Sequence, residues 1–289
     1  MIFPIMQKNL KNCILKGNEM KRLEINEVRK YQLEMLKYID DVCRINDIEY
    51  SLAYGTLLGA IRHKGYIPWD DDVDIMLEFS NYEKLLNIMK IDGKFDILTP
   101  SSNNYAFCYS KLVHPETTAI YEDEYKHNDK IRGVFIDIFP LFPINNSASE
   151  IKLLKFYEEC SLVSLEKGVL AFRKTAGIIK SLLRMPYVIF CKSLGKDYWS
   201  SKILTFIKKK NETCKYYNLF PWSEKRSMDK NIFRETMDMP FENLNLRVYK
   251  EYDKILTTMY GDYMQLPPES ERHFPHNSEI MYKLDIKEK

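Results

Sequence analysis

The chain has 289 residues, of which 45% are hydrophobic and 29% are charged, which is enough apolar sequence to bury one large core or two small ones. Its 43 Lys and Arg residues nearly balance its 41 Asp and Glu residues, and the resulting net charge of +2 excludes the strong basic bias of a protein whose main partner is nucleic acid. The six cysteines are widely spaced, without a CxxC pair or zinc-type spacing, which predicts reduced thiols and a cytoplasmic location. No run of 18 apolar residues occurs, so no membrane-spanning segment is predicted.

The N-terminal part of the chain is predicted to contain one long helix and one short strand. Residues 1–20 show no periodicity and are predicted to be a disordered extension. Residues 24–46 carry apolar side chains at spacings of three and four, which predicts an amphipathic helix. Residues 50–54 read as a strand, followed by a tight turn at Gly55 and Thr56.

Glycine is scarce, at 10 of 289 residues, and three of the ten fall within eleven positions as Gly55, Gly59 and Gly65. Average usage is about 7%, so this concentration indicates a segment with unusual backbone geometry. One or two helical turns are predicted there, ending at Gly65. An acidic strand is predicted at residues 70–77 and a helix at 81–91. Short strands follow, predicted at residues 95–98, 106–113, 117–121 and 134–139.

The second half of the chain is predicted to be mostly helical. Residues 149–217 have a helical pattern almost throughout, and a last helix is predicted from residue 244 to residue 260, ahead of a Pro-rich tail. The predicted fold class is α+β, with a mixed-sheet core, an N-terminal helix, a helical subdomain and a C-terminal return segment. The predicted boundaries are an extension at 1–20, a catalytic core at 21–145, a helical subdomain at 146–235 and a return segment at 236–289.

The acidic segment holds four carboxylates in five positions, Asp70, Asp71, Asp72 and Asp74. On a strand, residues of the same parity share one face, and carboxylates at that spacing repel each other unless a cation lies among them. Hard oxygen ligands suit Mg²⁺ or Mn²⁺. The alternative is a solvated acidic turn at the start of a strand. The apolar continuation and the nearby glycine-rich segment favour a metal site.

A further carboxylate, Asp137, lies within the apolar sequence VFIDIFPLF. An embedded carboxylate is costly unless it is paired or binds a metal, so Asp137 is a candidate third metal ligand. The alternative is an Asp that accepts backbone hydrogen bonds at a strand end. The sequence predicts that Asp137→Asn is inactive and more stable, because it removes the charge of an embedded acid, whereas unfolding of this variant would indicate a structural residue.

Basic residues suited to phosphate binding follow the glycine-rich segment. Arg62 and Lys64 are candidates for holding an anionic substrate, since cations beside backbone amides bind phosphate. Lys111, in a β-like run between the acidic strands, is a weaker candidate for the same role. Surface charge is the alternative interpretation of all three.

Three blocks of this sequence, in the same order, resemble the LicD family of bacterial phosphocholine transferases, which is related to the fukutin proteins. Residues 53–77 read AYGTLLGAIRHKGYIPWDDDVDIML and resemble the signature of the family. Residues 133–141 read GVFIDIFPL and resemble its second motif. Residues 260–276 read YGDYMQLPPESERHFPH and resemble its C-terminal block.

The resemblance implies a nucleotidyltransferase-type fold, in which a Gly-Thr turn faces a DxD motif and a third Asp comes from a later strand. Position by position, Gly55 and Thr56 form the turn, Asp72 and Asp74 bind Mg²⁺ or Mn²⁺, and Asp137 is the third metal carboxylate. The resemblance also implies CDP-choline or a related CDP-alcohol as donor. The implied acceptor is a sugar hydroxyl on a lipid-linked precursor of lipopolysaccharide, teichoic acid or another cell-surface polymer.

The implied choline group is a permanent cation that an aromatic cage can hold. Trp69 and Tyr66 flank the acidic segment and are candidates for the cage, with packing of the segment as the alternative. Arg272 and His276 lie in the Pro-rich tail, and the resemblance implies that this tail covers the active site. Solvent exposure is the alternative for both.

Two other functions are alternatives to phosphocholine transfer. An NTP-dependent nucleotidyltransferase acting on a small molecule would use the same turn and carboxylates, whereas a non-catalytic glycan-binding scaffold would show no metal dependence.

One further surface is predicted from charge. Residues 167–196 hold seven basic residues and no acidic one, interleaved with apolar residues, which is typical of a helix that binds an anionic membrane surface. An ordinary helix pair packed on the core is the alternative. The prediction places the enzyme in the cytoplasm, at the inner face of the cell membrane.

Overall fold

A computed structural model describes residues 20–103, 105–121, 133–145, 148–165, 178–272 and 279–284. The described helices are α1 (Ile25–Ile45), α2 (Tyr54–Arg62), α3 (Phe79–Asp92), α4 (Ala148–Leu165), α5 (Ile178–Asn211) and α6 (Tyr252–Tyr260). The described strands are β1 (Met20–Arg22), β2 (Ser51–Leu52), β3 (Asp74–Leu77), β4 (Asp96–Leu98), β5 (Ser110–Val113), β6 (Thr117–Tyr121), β7 (Phe135–Pro140), β8 (Phe142–Ile144), β9 (Tyr216–Asn218), β10 (Ser227–Asp229), β11 (Thr236–Phe241), β12 (Leu244–Tyr249) and β13 (Glu279–Leu284). This mixture of helices and sheets confirms the predicted α+β class.

The central sheet has five strands in the order β2-β3-β7-β5-β4. Strands β3 and β7 are parallel, whereas the other three pairings are antiparallel. The register places Asp74 opposite Asp137 and Asp137 opposite Lys111. Because directly paired residues point to the same face, these three side chains form one row across three strands.

The opposite face of the central sheet packs on helices and forms the core. Tyr82 of α3 meets Ser110 of β5 there, with 2.6 Å between their hydroxyl oxygens. Helix α1 contributes buried residues such as Met35 and Ile39 to the same core, which agrees with its predicted amphipathic pattern. The helix begins with a capping box between Glu24 and the residue three positions on. The sheet therefore has one apolar face and one face available for polar side chains.

Three smaller sheets surround the central one. Strand β13 lies between β1 and β6, so the end of the described chain pairs with its beginning. Met20 belongs to β1, whereas the rest of the predicted extension, residues 1–19, lies outside the described residues. Strands β8, β9 and β10 form one sheet, which crosses the boundary predicted between residues 145 and 146. A hairpin of β11 and β12 completes the set.

The predicted helix from residue 244 to residue 260 was wrong in its first third. Residues 244–249 form strand β12, paired in register with β11, and helix α6 begins only at Tyr252. Leu246 and Val248 are buried at alternate positions, which is the two-residue period of a strand. Their spacing is also compatible with the start of a helical pattern, so the hairpin partner decides the outcome.

Three local predictions near the glycine-rich segment also need correction. The expected strand at residues 50–54 is only two residues long, because α2 already begins at Tyr54 and takes up the expected turn. Helix α2 ends at Arg62, and the left-handed residue after it is Lys64 rather than Gly65. Strand β3 begins only at Asp74, so the three preceding aspartates lie on a loop and do not share the predicted strand face.

Helices α4 and α5 form a helical hairpin that is anchored to the central domain by a buried lysine. Lys196 is 6% exposed and donates hydrogen bonds to the backbone oxygens of Pro100 (3.0 Å) and Ser102 (2.7 Å). It also pairs with Asp197, with 2.6 Å between ammonium nitrogen and carboxylate oxygen. One member of the predicted basic segment therefore has a structural role. No described helix combines the length and hydrophobicity needed to cross a bilayer.

Glu158 of α4 provides a test of the buried side of this hairpin. Its burial raises the pKa of its carboxyl from 4.5 to about 7, and the Cys108 thiol donates to one of its oxygens at 3.6 Å. Because the folded-state pKa lies above the unfolded value, ionisation destabilises the fold progressively as pH rises from 4.5 to 7. We expect Glu158→Gln to stabilise the protein at pH 8 by up to ~3 kcal/mol and by much less at pH 5. Urea unfolding at both pH values measures this, with the exposed neighbour change Glu159→Gln as control, and equal effects at both pH values would contradict it.

Candidate active site

The centre of the site is the row of charged side chains across β3, β7 and β5. Asp74 and Asp137 are each 7% exposed and Lys111 is 8% exposed. The Lys111 ammonium lies 2.8 Å from Oδ1 and 3.1 Å from Oδ2 of Asp137, and it lies 3.4 Å from the centroid of the Phe135 ring. Lys111, predicted as a phosphate ligand, therefore pairs with the predicted third carboxylate. The sequence around Asp137 indicated a carboxylate that is costly to bury. The ion pair with Lys111 compensates for part of that desolvation cost.

The start of α2 positions Asp74. The Thr56 hydroxyl oxygen accepts a hydrogen bond of 2.9 Å from the backbone N–H of Asp74, and Thr56 itself is buried. A Cβ atom on Gly55 would lie 2.5 Å from Oδ2 of Asp70, so only glycine allows the acidic loop to approach this closely. Both residues lie in the first turn of α2, where backbone N–H groups have no acceptor within the helix and can bind phosphate oxygens.

The acidic loop before β3 is held by the N-terminal helix. Carboxylate oxygens of Asp70, Asp71 and Asp72 all lie within 4.8 Å of one another. The Arg29 guanidinium donates to the backbone oxygen of Asp70 at 3.0 Å and to those of two preceding residues, and the Gln32 amide donates to the backbone oxygen of Asp71 at 2.9 Å. These bonds fix the backbone of the loop through its carbonyl oxygens and do not involve its carboxylates.

Burial and mutual repulsion raise the pKa of two of these carboxyl groups. The pKa of Asp74 lies well above its usual value, first because of burial and then because of the charges of Asp72 and Asp137, which Lys111 partly offsets. Burial and the neighbouring Asp72 raise the pKa of Asp70 to about 7. A divalent cation bound among these carboxylates would offset both the cost of burying their charges and their mutual repulsion.

The donor set therefore fits a divalent metal ion. Its atoms are carboxylate oxygens, which Mg²⁺ and Mn²⁺ prefer, and the charge repulsion among them is the cost that such an ion compensates. Asp70, Asp71 and Asp72 form the compact group of three acidic side chains among the described residues, whereas Asp74 and Asp137 lie in the adjacent row. The sequence predicted Asp72 and Asp74 from this region but did not single out Asp70.

Two arginines lie beside the acidic loop. The Arg62 guanidinium donates to the backbone oxygen of Tyr263 (2.9 Å) and to Nε2 of His63 (3.0 Å), while Arg272 donates to the backbone oxygen of Pro267 (2.9 Å). Desolvation and the charge of Arg272 lower the pKa of Arg62. Within the described part of the chain, neither arginine forms an ion pair with a carboxylate. Two adjacent cations without a carboxylate partner are suited to bind an anion.

The aromatic residues predicted as a cage both have partners within the protein. The Arg272 guanidinium carbon lies 5.3 Å from the centroid of the Trp69 ring, so this ring already holds a cation from the tail. Tyr66 is buried, with its ring centroid 5.0 Å from that of Phe241 and 4.6 Å from the Arg29 guanidinium carbon. The tail thus reaches the site as far as Arg272, whereas His276 lies outside the described residues.

The loop that follows α2 is clamped by a residue from the distant hairpin. Glu242, between β11 and β12, accepts a hydrogen bond of 3.0 Å from the backbone N–H of Tyr66 and donates its own N–H to the Lys64 oxygen at 2.8 Å. A Cβ atom on Gly65 would clash with the Glu242 carboxylate. Lys64 and Glu242 both have positive φ angles, of 61° and 53°. Lys64, a predicted phosphate ligand, is exposed on this clamped loop.

The structure adds a group of site residues that the sequence analysis missed. The pKa of Tyr54 is raised by burial and by the charge of Asp74, and the pKa of Tyr260 is raised by desolvation and by the charges of Asp74 and Asp70. Arg226 donates a hydrogen bond of 3.1 Å to the backbone oxygen of Phe220. Its charge partly offsets the increase in the pKa of both phenols. Tyr54 has a φ of 45°, a conformation that costs a tyrosine energy and is concentrated at functional sites.

Arg29 offers a test of how the acidic loop is held. We expect Arg29→Met to raise the Mg²⁺ concentration needed for half-maximal activity by about 10- to 100-fold, because the loop loses the donor that fixes its backbone. Arg44→Met is the matched control, since Arg44 lies on the same helix but binds Asp40 and Asp238. Titration of activity with Mg²⁺, alongside thermal melting, separates a loss of metal binding from unfolding. An unchanged Mg²⁺ requirement would show that Arg29 does not position the loop.

Comparison with known proteins identifies relatives of this chain. Residues 47–164 match the family described as LicD/FKTN/FKRP, nucleotidyltransferase domain. The lipopolysaccharide cholinephosphotransferase LicD of Haemophilus influenzae is 29% identical over 275 residues, covering 92% of this chain and 100% of that protein. An uncharacterized protein of Rickettsia typhi is 39% identical over 154 residues, covering 53% of this chain and 48% of that protein. Ribitol 5-phosphate transferase FKRP of Mus musculus is 25% identical over 112 residues, covering 39% of this chain and 20% of that protein.

The matched region contains the parts of the site that are nearest to the carboxylates. It includes the start of α2, the acidic loop and the row that joins Asp74, Asp137 and Lys111. The arginine of the tail and Glu242 lie beyond residue 164, outside this match. Residues 47–164 therefore match the LicD/FKTN/FKRP family of nucleotidyltransferase domains, and the similarity to the Haemophilus protein extends over most of the rest of the chain.

Proposed function

We propose that this protein is a metal-dependent transferase that moves phosphocholine from CDP-choline to a sugar hydroxyl of a cell-surface polysaccharide or teichoic acid precursor, and releases CMP. The observation that carries the proposal is the buried row of Asp74, Asp137 and Lys111 beside the acidic loop, with two arginines nearby that have no carboxylate partner in the described structure. The similarity over 92% of the chain to a lipopolysaccharide cholinephosphotransferase supports transfer of phosphocholine to a surface glycan.

The proposed reaction is an attack by the acceptor hydroxyl on the phosphorus that carries choline. A bond forms from the sugar oxygen to that phosphorus, and the bond from the same phosphorus to the bridging oxygen of the diphosphate breaks, so that CMP leaves. In phosphoryl transfer the protein contributes mainly position and charge stabilisation. Mg²⁺ or Mn²⁺, when bound by the aspartates of the loop and by Asp74, would neutralise negative charge on the diphosphate and on the departing CMP.

The residues of this chain divide the remaining tasks. The Arg62 and Arg272 guanidinium groups bind outer phosphate oxygens, and the N–H groups in the first turn of α2 add further donors. Thr56 holds the backbone of Asp74 in place through its hydroxyl oxygen. Asp137 accepts the proton of the acceptor hydroxyl, and the Lys111 ammonium fixes the orientation of its carboxylate.

A thermal-shift panel tests the choice of donor. The full-length protein is melted with Mg²⁺ and, in turn, CDP-choline, CDP-glycerol, CDP-ribitol and the nucleoside triphosphates. We expect the largest increase in melting temperature with CDP-choline, because a ligand at 100 times its Kd stabilises the folded state by ~2.7 kcal/mol. The increase should disappear when Mg²⁺ is replaced by a chelator.

The panel also separates the rival functions. A shift with nucleoside triphosphates but not with the CDP-alcohols would favour a nucleotidyltransferase acting on a small molecule. No shift with any nucleotide, with or without metal, would favour a non-catalytic glycan-binding module. A larger shift with CDP-ribitol or CDP-glycerol than with CDP-choline would keep the reaction and change the transferred alcohol.

The proposed acceptor is a lipid-linked glycan, and the proposed place of work is the cytoplasmic face of the cell membrane. The basic segment at residues 167–196 supports this location, because cations attract a protein to anionic lipid. Its residues 167–177 lie outside the described residues, so the structural support comes from α5.

A further inference from the structure

The solvent-facing side of α5 between residues 183 and 194 carries no charged side chain. All six exposed positions of this segment are uncharged, and they are Leu183, Pro186, Ile189, Phe190, Ser193 and Leu194. Helix α1 shows the ordinary pattern, since its exposed positions up to residue 41 are Asn26, Lys30, Glu34, Lys37 and Asp41. An outward apolar face of this kind is unusual for a helix that borders only water.

This apolar face is not part of the core of the hairpin. The inward side of α5 already packs on α4 through a separate cluster that includes Val188, Cys191 and Trp199, together with Cys160 and Val163 of α4. Leu183 is 78% exposed and Phe190 is 47% exposed. The outward residues are not part of this buried cluster, although Phe190 touches its edge at Trp199, and their exposed hydrophobic surface needs another explanation.

Aromatic side chains extend the same surface onto α4 and beyond the break in α5 at Gly195. The rings of Phe156, Phe190 and Tyr198 lie 5.0 to 5.8 Å from the ring of the buried Trp199, measured between centroids. We call this surface the hairpin patch and define it by Phe156, Leu183, Ile189, Phe190, Leu194 and Tyr198. These six are among thirteen exposed large apolar side chains of the described residues, so exposed hydrophobicity is concentrated here.

The charges around the hairpin patch indicate what covers it. Helix α5 contains eight Lys and Arg residues and a single acidic residue, Asp197. Lys196 is buried, and Lys208 and Lys210 pair with Glu83 and Glu150, so the other five basic residues supply the charge near the patch. Lys202 extends its ammonium over the ring of Tyr198 at 5.0 Å from the centroid, at the edge of the patch. Two copies of this helix facing each other would bring like charges together, which disfavours a second copy as the partner. An anionic lipid bilayer has an apolar interior and negatively charged headgroups, so it matches both the apolar patch and the basic residues near it.

We propose that the hairpin patch docks on an anionic lipid bilayer, with its apolar and aromatic side chains in the interfacial layer and the basic residues of α5 against lipid headgroups. The biological purpose of the docking, which is access to a lipid-linked acceptor, rests on the proposed function. The binding itself follows from the exposed apolar face and the charge of α5, and it is measured without donor or acceptor. Failure of one proposal is therefore distinguishable from failure of the other.

Flotation of the full-length protein with vesicles tests the docking. The vesicles contain phosphatidylcholine alone or a mixture with phosphatidylglycerol, at low and at high salt. We expect binding to the anionic vesicles at low salt and a loss at high salt. The double change Phe190→Gln and Leu194→Gln should weaken binding by about tenfold or more. The matched control is Ile45→Gln with Ile91→Gln, which removes two apolar side chains that are 81% and 88% exposed on α1 and α3 and should leave binding unchanged.

A charge variant and an activity assay complete the test. Lys180→Gln with Arg184→Gln should weaken binding to anionic vesicles by about tenfold and leave binding to neutral ones unchanged. Transfer to a water-soluble glycan should be unaffected in the Phe190→Gln and Leu194→Gln variant, and its melting temperature confirms that it folds. Wild-type protein that stays unbound, or undiminished binding by the double variant, would overturn the proposal. A dimer in light scattering that the double variant dissociates would instead identify a second copy as the partner.

Discussion

Replacing Asp74 with Asn is expected to reduce transfer by about a thousandfold and, at the same time, to raise the melting temperature of the metal-free protein. The loss of activity follows because Asp74 is a proposed metal ligand at the end of the row next to the acidic loop, and metal charge contributes several kcal/mol to the transition state. The gain in stability follows because burial and the charges of Asp72 and Asp137 raise the pKa of Asp74. Ionised Asp74 therefore destabilises the folded state at neutral pH, and Asn removes that cost.

The two effects of Asp74→Asn are measured separately. CMP release with CDP-choline and a glycan acceptor gives the activity, and thermal melting in a chelator gives the stability. Asp262→Asn, a change of an exposed aspartate outside the row, is the control and should alter neither quantity. Near-normal activity with the same Mg²⁺ requirement would contradict the metal assignment. A lower melting temperature would show that Asp74 stabilises the fold, contrary to the direction of its pKa shift.

Asp137→Asn is expected to be as inactive as the Asp74 variant but to lower stability, by about 3–5 kcal/mol. The difference comes from Lys111, whose ammonium contacts both oxygens of Asp137 and is itself 8% exposed. Neutralising the carboxylate leaves a buried ammonium without its partner, which is the costly way to break a buried ion pair. This expectation reverses the stabilisation that the sequence alone suggested for Asp137→Asn.

A double variant separates structure from chemistry at this position. Asp137→Asn combined with Lys111→Met removes both charges, so we expect urea unfolding to show most of the stability restored. Transfer should remain abolished, because the proposed proton acceptor is still missing. If the double variant regains activity together with stability, Asp137 acts only through the fold. If the single variant is as stable as the wild type, the ion pair contributes no net stability.

Predictions from local pattern succeeded where neighbouring residues decide the structure. The helix expected at residues 24–46 is found as α1, at 25–45, because its apolar period is long and uninterrupted. The helix expected at 81–91 is found as α3, at 79–92, for the same reason. The strand around Asp137 was also visible, since apolar residues surround it on both sides.

The features that a local pattern could not provide depend on residues far apart in the chain. The strand at Leu244–Tyr249 exists because β11 pairs with it, and its apolar spacing alone also allowed a helix. The ion pair of Asp137 depends on the register between β5 and β7, which no single segment encodes. Arg226 lies at the end of a short 3-10 helix (Glu224–Arg226), directly before β10, and left no motif beside the acidic residues. The role of Gln32 could have been inferred from the sequence, because it is a polar residue on the otherwise apolar, buried face of α1.

The clamp by Glu242 ties the site to a segment that is synthesised much later than the site itself. Tyr66 and Glu242 are separated by 176 residues, and at a synthesis rate of about 5–20 residues per second the partner arrives roughly 10–35 seconds later. The backbone oxygen of Tyr263 that holds Arg62 emerges later still. Until then the loop after α2 and the Arg62 guanidinium lack these contacts. A ribosome-bound chain that ends before residue 242 should therefore fold its central sheet and remain inactive, so that transfer begins only after these distant contacts have formed.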